Sequence, residues 1–264
     1  MQVKERQWQF LLLTMIIIAT SLPIVIIMIG ISTTPFIYAQ TNNTNDSSRT
    51  NTISTGKIFP PDAMPYNMTY GEWSAKWWQW ILSIPTENNP LNDDNGRNCA
   101  VEQSGPVWFL VGTTGGLIER TCTIPGETAI LIPVINGECS YVEYPSFKSE
   151  SELRSCAITQ MDKATQLKAR IDGVDVIDLN TYRFQSPLFN LTLPENNIFG
   201  LPAGTTQAVA DGFWILLEPL PAGNHEIQFG GGLVDVSTTG TVNFMTEAVY
   251  HITIPDTAAT AEQP

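Results

Sequence analysis

The sequence predicts a mostly β single domain, a β-sandwich or jelly-roll-like fold that carries an N-terminal tryptophan-rich helix and one further helix. Three observations support this. From Val107 to Ile254 most of the chain breaks into short β-rich runs separated by Gly, Pro and Asx turns. The segment Met68 to Ser83, MTYGEWSAKWWQWILS, holds four of the seven tryptophans at helical spacing. All four cysteines lie between residues 99 and 156, an even count suited to a disulfide framework.

The organisation follows from composition. Lys4 and Arg6 precede an uncharged apolar run over residues 10–31, and Ile37-Tyr38-Ala39 offers a cleavage site before Gln40. Residues 1–39 therefore read as a signal peptide or as a retained N-terminal membrane anchor, and both place the rest of the chain outside the cytoplasm. Residues 40–57 form a polar Asn/Ser/Thr-rich linker, 58–255 the disulfide-bonded domain and 256–264 a polar tail. Without Lys4, Glu5 and Arg6 the balance is 11 basic to 25 acidic residues, a net −14. Such a surface repels polyanions, which excludes nucleic-acid binding and limits membrane contact to the N-terminal segment.

Each element has a local reason. Thr69 and Glu72 form a capping box at the start of the tryptophan-rich helix, and Pro85 ends it near Ser83. Tyr70, Trp73, Trp77, Trp80, Ile81 and Ile84 share one face, with Trp78 at its edge. Strands are expected at Val107–Val111, Leu117–Ile124 and Ala129–Ile135, with Pro133 marking an edge strand or a bulge. Ser149 and Glu152 open a second helix, expected to reach about Lys168. Asp172-Gly173 is a hairpin turn between Ala169–Ile171 and Val174–Ile177. Further strands are expected at Tyr182–Phe184, Leu188–Leu193, Thr206–Ala210, Phe213–Glu218, His225–Phe229, Val234–Val236 and Ala248–Ile254. Gly115-Gly116 and Gly230-Gly231-Gly232 read as turns or bulges.

Three disulfide pairings are open to Cys99, Cys122, Cys139 and Cys156. Sequential bridges, Cys99–Cys122 and Cys139–Cys156, are topologically the least demanding, and each would close a loop worth about 3 kcal/mol. No Cys-x-x-Cys pair is present to favour metal or redox chemistry.

Within the domain, YGEWSAKWWQW, NPLNDDNGRNCAVEQSGPVWFLVGT and ERTCTIPGETAILIPVIN, with the later ADGFWILLEPLPAGNHEIQFGG, resemble an uncharacterised group of exported prokaryotic proteins. The resemblance covers about residues 66–254. It implies export and a β-rich domain, and it implies no catalytic residue.

No G-x-S-x-G elbow supports a serine hydrolase, and the glycine-rich stretches precede no phosphate-binding lysine. His225 and His251 are the only histidines, both in predicted strands, so they are the weak metal candidates with no ligand spacing behind them. Asn92-Asp93-Asp94-Asn95-Gly96 has the hard oxygen donors of a calcium loop, with Asp93 and Asn95 as ligands, but Leu91 breaks the EF-hand register. A plain Asx-rich turn is the competing reading, and otherwise no cofactor is expected. Carboxylate groups such as Asp93 with Asp94, or Asp211, Glu218 and Glu226, suit glycoside hydrolysis only if a cleft brings two together. Asn42, Asn45, Asn67 and Asn190 head N-x-S/T sequons and are glycosylation candidates. The expected function is an exported cell-envelope or extracellular module, non-catalytic, that binds or supports a cell-envelope glycan or surface protein. The alternative is a carbohydrate-active enzyme or carbohydrate-binding module. The candidate ligand surface is Trp77, Trp78, Asp93 and Asp94.

Overall fold

The computed structural model describes residues 57–235 and 241–256. The expected signal or anchor segment, Asn42, Asn45 and nearly all of the linker and tail lie outside them. Two mixed five-stranded sheets make up most of the structure, joined by two α-helices: α1 (Tyr70–Ser83) and α2 (Glu150–Met161). The mostly β architecture expected from the sequence is present.

The first sheet is built on β3 (Ala129–Ser140) and β8 (Gly204–Leu217), which run antiparallel side by side. β1 (Val107–Phe109) adds to β3 in parallel, while β6 (Arg183–Gln185) and β7 (Phe189–Leu193) share the far edge of β8. The second sheet runs β2, β10, β9, β4, β5: Gly116–Thr123, Thr241–Ile254, Gly223–Asp235, Ala164–Ile171 and Val174–Asp175. Here β2 is parallel to β10 and the other pairs are antiparallel. Each sheet thus carries one parallel edge pair, unlike an all-antiparallel jelly roll.

The sheets pack face to face through alternating apolar residues. Ile130, Ile132, Phe213 and Ile215 from one meet Ile227, Phe229, Tyr250 and Ile252 from the other in a single cluster. The opposite face of the first sheet buries α1: Trp73, Trp77, Trp80 and Ile81 cluster with Leu131, Leu191, Ala210 and Trp214. α2 seals one end, where Leu153 and Ala157 pack on Cys139 and Val209. The order is therefore helix, sheet, sheet, with the outer face of the second sheet left to solvent-facing polar residues such as Glu119, Thr121 and Thr253.

Both capping boxes form. In α1 the Thr69 hydroxyl accepts from the Glu72 N–H at 3.2 Å, and the Glu72 carboxylate accepts from the Thr69 N–H at 2.7 Å. In α2 the Glu152 carboxylate accepts from the backbone N–H groups of Lys148 and Ser149. These bonds hold both carboxyls below the usual carboxylate range.

Several expectations need correction. α2 stops at Met161, not near Lys168, because residues 164–171 are a strand paired with β9 from Ala164↔Leu233 to Ile171↔Ile227. The helical steps through Ala164 and Leu167 are imitated by a strand with a bulge between Thr165 and Lys168. Thr206–Ala210 and the strand expected from Phe213 are one strand ending at Leu217, since Asp211 stays paired with Gly137 and Gln185 inside it. His225–Phe229 merges likewise with Val234 and Asp235, with Gly230 to Gly232 inside β9 rather than at a turn; Val236 lies outside the described residues. A Cβ at Gly230 would lie 2.1 Å from the Thr246 carbonyl oxygen, so neighbouring backbone occupies the space. Pro133 sits at a bulge: the β3–β8 register shifts between Pro133 and Ile135. β5 is shorter than expected, and the Asp172-Gly173 turn joining it to β4 has both residues at positive φ, as a two-residue hairpin loop of the primed kind requires.

Candidate functional site

The structure does not bring the sequence-predicted ligand residues to a common surface. Trp77 and Trp78 are both buried, Trp78 to 6% exposure, and their rings meet edge to face at 5.0 Å. Trp78, expected at the edge of the buried face of α1, is itself part of the buried cluster between α1 and the first sheet. The indole N–H groups point inward: Trp73 donates to Pro65 O, Trp77 to Leu110 O at 2.7 Å and Trp80 to Val101 O. Trp78 Nε1 is enclosed with no hydrogen-bond partner among the described residues.

The Asp93 loop is turned inward as well. Asp93 is 3% exposed, and its carboxylate accepts from the N–H groups of Asn95 and Asn98. Asn95 Oδ1 accepts from Arg97 N, while its carbonyl accepts from Thr121 N on β2. Gly96 has φ +92°, and a Cβ there would lie 2.1 Å from the Thr121 carbonyl oxygen, so only glycine lets the loop lie this close to β2. These oxygens organise a chain of Asx turns, while Asn92, Asp94 and Asn95 are exposed. Among the described residues no group of three or more His, Cys, Asp or Glu side chains is placed to hold a metal ion.

The histidines are far from equivalent. His225 is buried, its Nδ1 2.8 Å from Asp172 Oδ2 and its Nε2 2.9 Å from the Pro221 carbonyl oxygen. Both ring nitrogens face acceptors, and the ring clasps the β4–β5 turn to the start of β9. His251 is half exposed on the outer face of the second sheet, between Glu119 at 2.5 Å and Glu226 at 3.8 Å. Of the sequons, Asn67 and Asn190 have exposed side chains.

The cysteines pair as Cys99–Cys122 and Cys139–Cys156. The first bridge ties the loop after α1 to β2, the second ties β3 to α2. Two disulfides are compatible with an extracellular protein.

The second bridge lies in the most distinctive part of the molecule. Gln160 on α2 places its amide nitrogen 3.2 Å from Cys139 Sγ and 3.8 Å from Cys156 Sγ. Beside it, Tyr144 and Phe147 stack at 4.9 Å with rings nearly parallel. Together with Ser151, Ser155, Thr159 and Gln160 along α2 they line an open cleft of about 440 Å³. Ser151, Ser155 and Thr159 recur at four-residue steps on α2, the Thr159 hydroxyl donating to the Ser155 carbonyl, and the charged Glu152 and Lys163 line the same cleft.

One residue before Cys139 stands Glu138, 5% exposed, with both carboxylate oxygens enclosed and no hydrogen-bond donor reaching either among the described residues. Its neighbour Glu143 is anchored by Ser140, whose N–H and hydroxyl both donate to Glu143 Oε2, at 3.1 and 2.6 Å. Burial pushes the Glu138 carboxyl well above the usual range, and the Glu143 charge and hydrogen bond push the same way. The Tyr144 phenol is raised by burial, then by the charges of Glu143 and Glu138.

Compared with known proteins, the chain matches no family model, no curated protein and no solved structure. The geometry therefore stands without a relative to transfer a role from.

Sequence reasoning missed Glu138, because the expected strand ended at Ile135 and left it in a loop. It also missed Arg120, 2% exposed, which donates to the carbonyls of Asp93, Val111 and Gly112 and to the Tyr250 hydroxyl. Here a signal existed: Arg120 has the same strand parity as inward-facing Cys122 and Ile124.

Proposed function

We propose that this chain is an exported module of the cell envelope or extracellular space that binds a ligand without transforming it, and that the cleft beside α2 is the ligand seat. The cleft carries the reading: a stacked aromatic pair faces a row of hydroxyls across about 440 Å³. Aromatic faces pack on the C–H faces of sugars while hydroxyls and amides take up sugar hydroxyls, so a saccharide is the fitting class. The net charge of −13 disfavours anionic polymers and leaves a neutral glycan. Export is supported by the Lys4/Arg6 start with the apolar run over residues 10–31, and by the two bridges.

The test is calorimetric titration of the full chain with neutral oligosaccharides of cell-envelope type, beside Tyr144→Ala and with product analysis over time. Binding weakened at least tenfold in Tyr144→Ala, with the saccharide recovered intact, is the expected result. Equal binding by both proteins, or none by either, overturns the assignment of the cleft. Release of shortened saccharide would replace the binding reading with that of a carbohydrate-active enzyme.

A further inference from the structure

The geometry points to a proton-binding site: Glu138 and Glu143 form a carboxylic acid–carboxylate pair that holds one proton between them, and this proton keeps the Ser140–Phe147 segment seated as the aromatic wall of the cleft. The Glu138 side chain has no hydrogen-bond partner among the described residues. Its carboxyl is enclosed between β3 and its neighbours, opposite Ala210 of β8, and neither oxygen meets a donor. Among the described residues no lysine, arginine or histidine forms an ion pair with Glu138 or Glu143. The ionisable groups facing Glu138 are Glu143, from the turn after β3, and Tyr144 beside it. Two full negative charges in such a place are untenable, because an enclosed carboxylate without a counter-charge neutralises by taking up a proton.

The two acids are unequal, and the inequality assigns the proton. Glu143 accepts two hydrogen bonds from Ser140 on one oxygen, which pins its side chain against the end of β3. Glu138 has no donor among the described residues, so it is the acid, and its O–H is free to donate to the Glu143 carboxylate. The arrangement explains how a wholly buried glutamate is tolerated next to a disulfide. It also couples to the cleft, since Tyr144 N donates to Ser140 O at 3.0 Å and Phe147 N to Tyr144 O. Loss of the proton sets two carboxylates against each other at the base of that segment. The site stands whether or not the cleft takes a saccharide.

The consequence for stability has a definite sign. A carboxyl whose value is raised by folding gives its full contribution below the unfolded value of about 4.3 and loses it as pH rises toward the folded value. The experiment follows the melting temperature of the full chain from pH 5 to 9 for the native protein, Glu138→Gln and Glu143→Gln, with ¹³C-carboxyl NMR of glutamate-labelled protein. One glutamate carboxyl titrating well above the ordinary carboxylate range, absent in Glu138→Gln and moved to lower pH in Glu143→Gln, is expected. The melting temperature of Glu138→Gln should gain on the native protein by about 3 °C per pH unit through that range. The Tyr144 and Phe147 ring signals should shift with the same midpoint. Titration of every glutamate in the ordinary range overturns the proposal. So does a melting temperature that at fixed pH depends on calcium or chelator, which would make the neutralising species a cation. Should Glu138→Gln fail to fold, the native titration and the Glu143→Gln shift decide.

Discussion

Arg183 closes on Asp211 with two parallel hydrogen bonds, Nε to Oδ1 at 3.2 Å and Nη2 to Oδ2 at 2.9 Å. Asp211 is 2% exposed at the centre of β8, and the same guanidinium reaches Asp162 and the Ile158 carbonyl at the end of α2. One side chain on β6 therefore joins strand β8 to the helix that seals the sandwich. Arg183→Ala strands the Asp211 carboxylate in the interior. A loss of about 3 kcal/mol is expected in urea unfolding. Arg183→Met combined with Asp211→Leu should recover part of it, because no buried charge is then left alone.

Arg120 has no carboxylate within ion-pair distance among the described residues, so its charge is held by oriented carbonyls and by the face of Tyr250, 5.7 Å away. It joins the Asp93 loop, the segment after β1 and strand β10. Arg120→Lys keeps the charge but not the fork of donors. It should cost about 2 kcal/mol, with faster amide exchange at Asn95, Asn98 and Thr121 as the local readout.

Trp77 and Trp78 are neighbours with opposite hydrogen-bond states. The Trp77 N–H satisfies the Leu110 carbonyl, whereas the Trp78 N–H has no partner among the described residues. Replacing each by phenylalanine removes similar volume, so the difference isolates the hydrogen bond. Trp77→Phe should be the more destabilising by about 1 kcal/mol. Equal losses in denaturant titration would show that packing alone governs both positions.

Each bridge ties a different part to the sandwich, so their removal should be separable. Cys99→Ala with Cys122→Ala frees the loop after α1, and Cys139→Ala with Cys156→Ala frees α2. Each double variant should lose about 3 kcal/mol, and only the second should increase amide exchange across residues 150–161. A non-reducing peptide map checks the pairing itself.

Local chemistry was the legible part of this chain. Thr69 with Glu72 and Ser149 with Glu152 mark helix starts because a cap acts over three residues. Asp172-Gly173 marks its hairpin because positive φ is a property of two residues. Strand extents were less legible, since Gly230 to Gly232 look like a break until β10 lies against them. The parallel pairing of β2 with β10 joins Ile118 to Ala248, and no local pattern carries a partner so distant. The site was read least well. The one-sided stripe of α1 marks a packed helix, and Trp77 and Trp78, offered as ligand residues, are buried in it; the Asx-rich loop fits a plain turn, with Asp93 and Asn95 accepting from backbone N–H groups. The feature that stands out physically, an enclosed acid at Glu138, is a property of surroundings assembled from β3, β8 and the turn after β3.

The sequential bridges bear on how the molecule is made. A chain emerging N-terminus first presents Cys99 and then Cys122, and at that moment neither has another cysteine to mispair with. Cys139 and Cys156 follow as the next two, so order of appearance and order of pairing coincide and no reshuffling is required. The first bridge also fixes β2 against the Asp93 loop more than a hundred residues before β10 arrives to pair with it. The strand that must wait longest for its partner is thus the one that is covalently moored first.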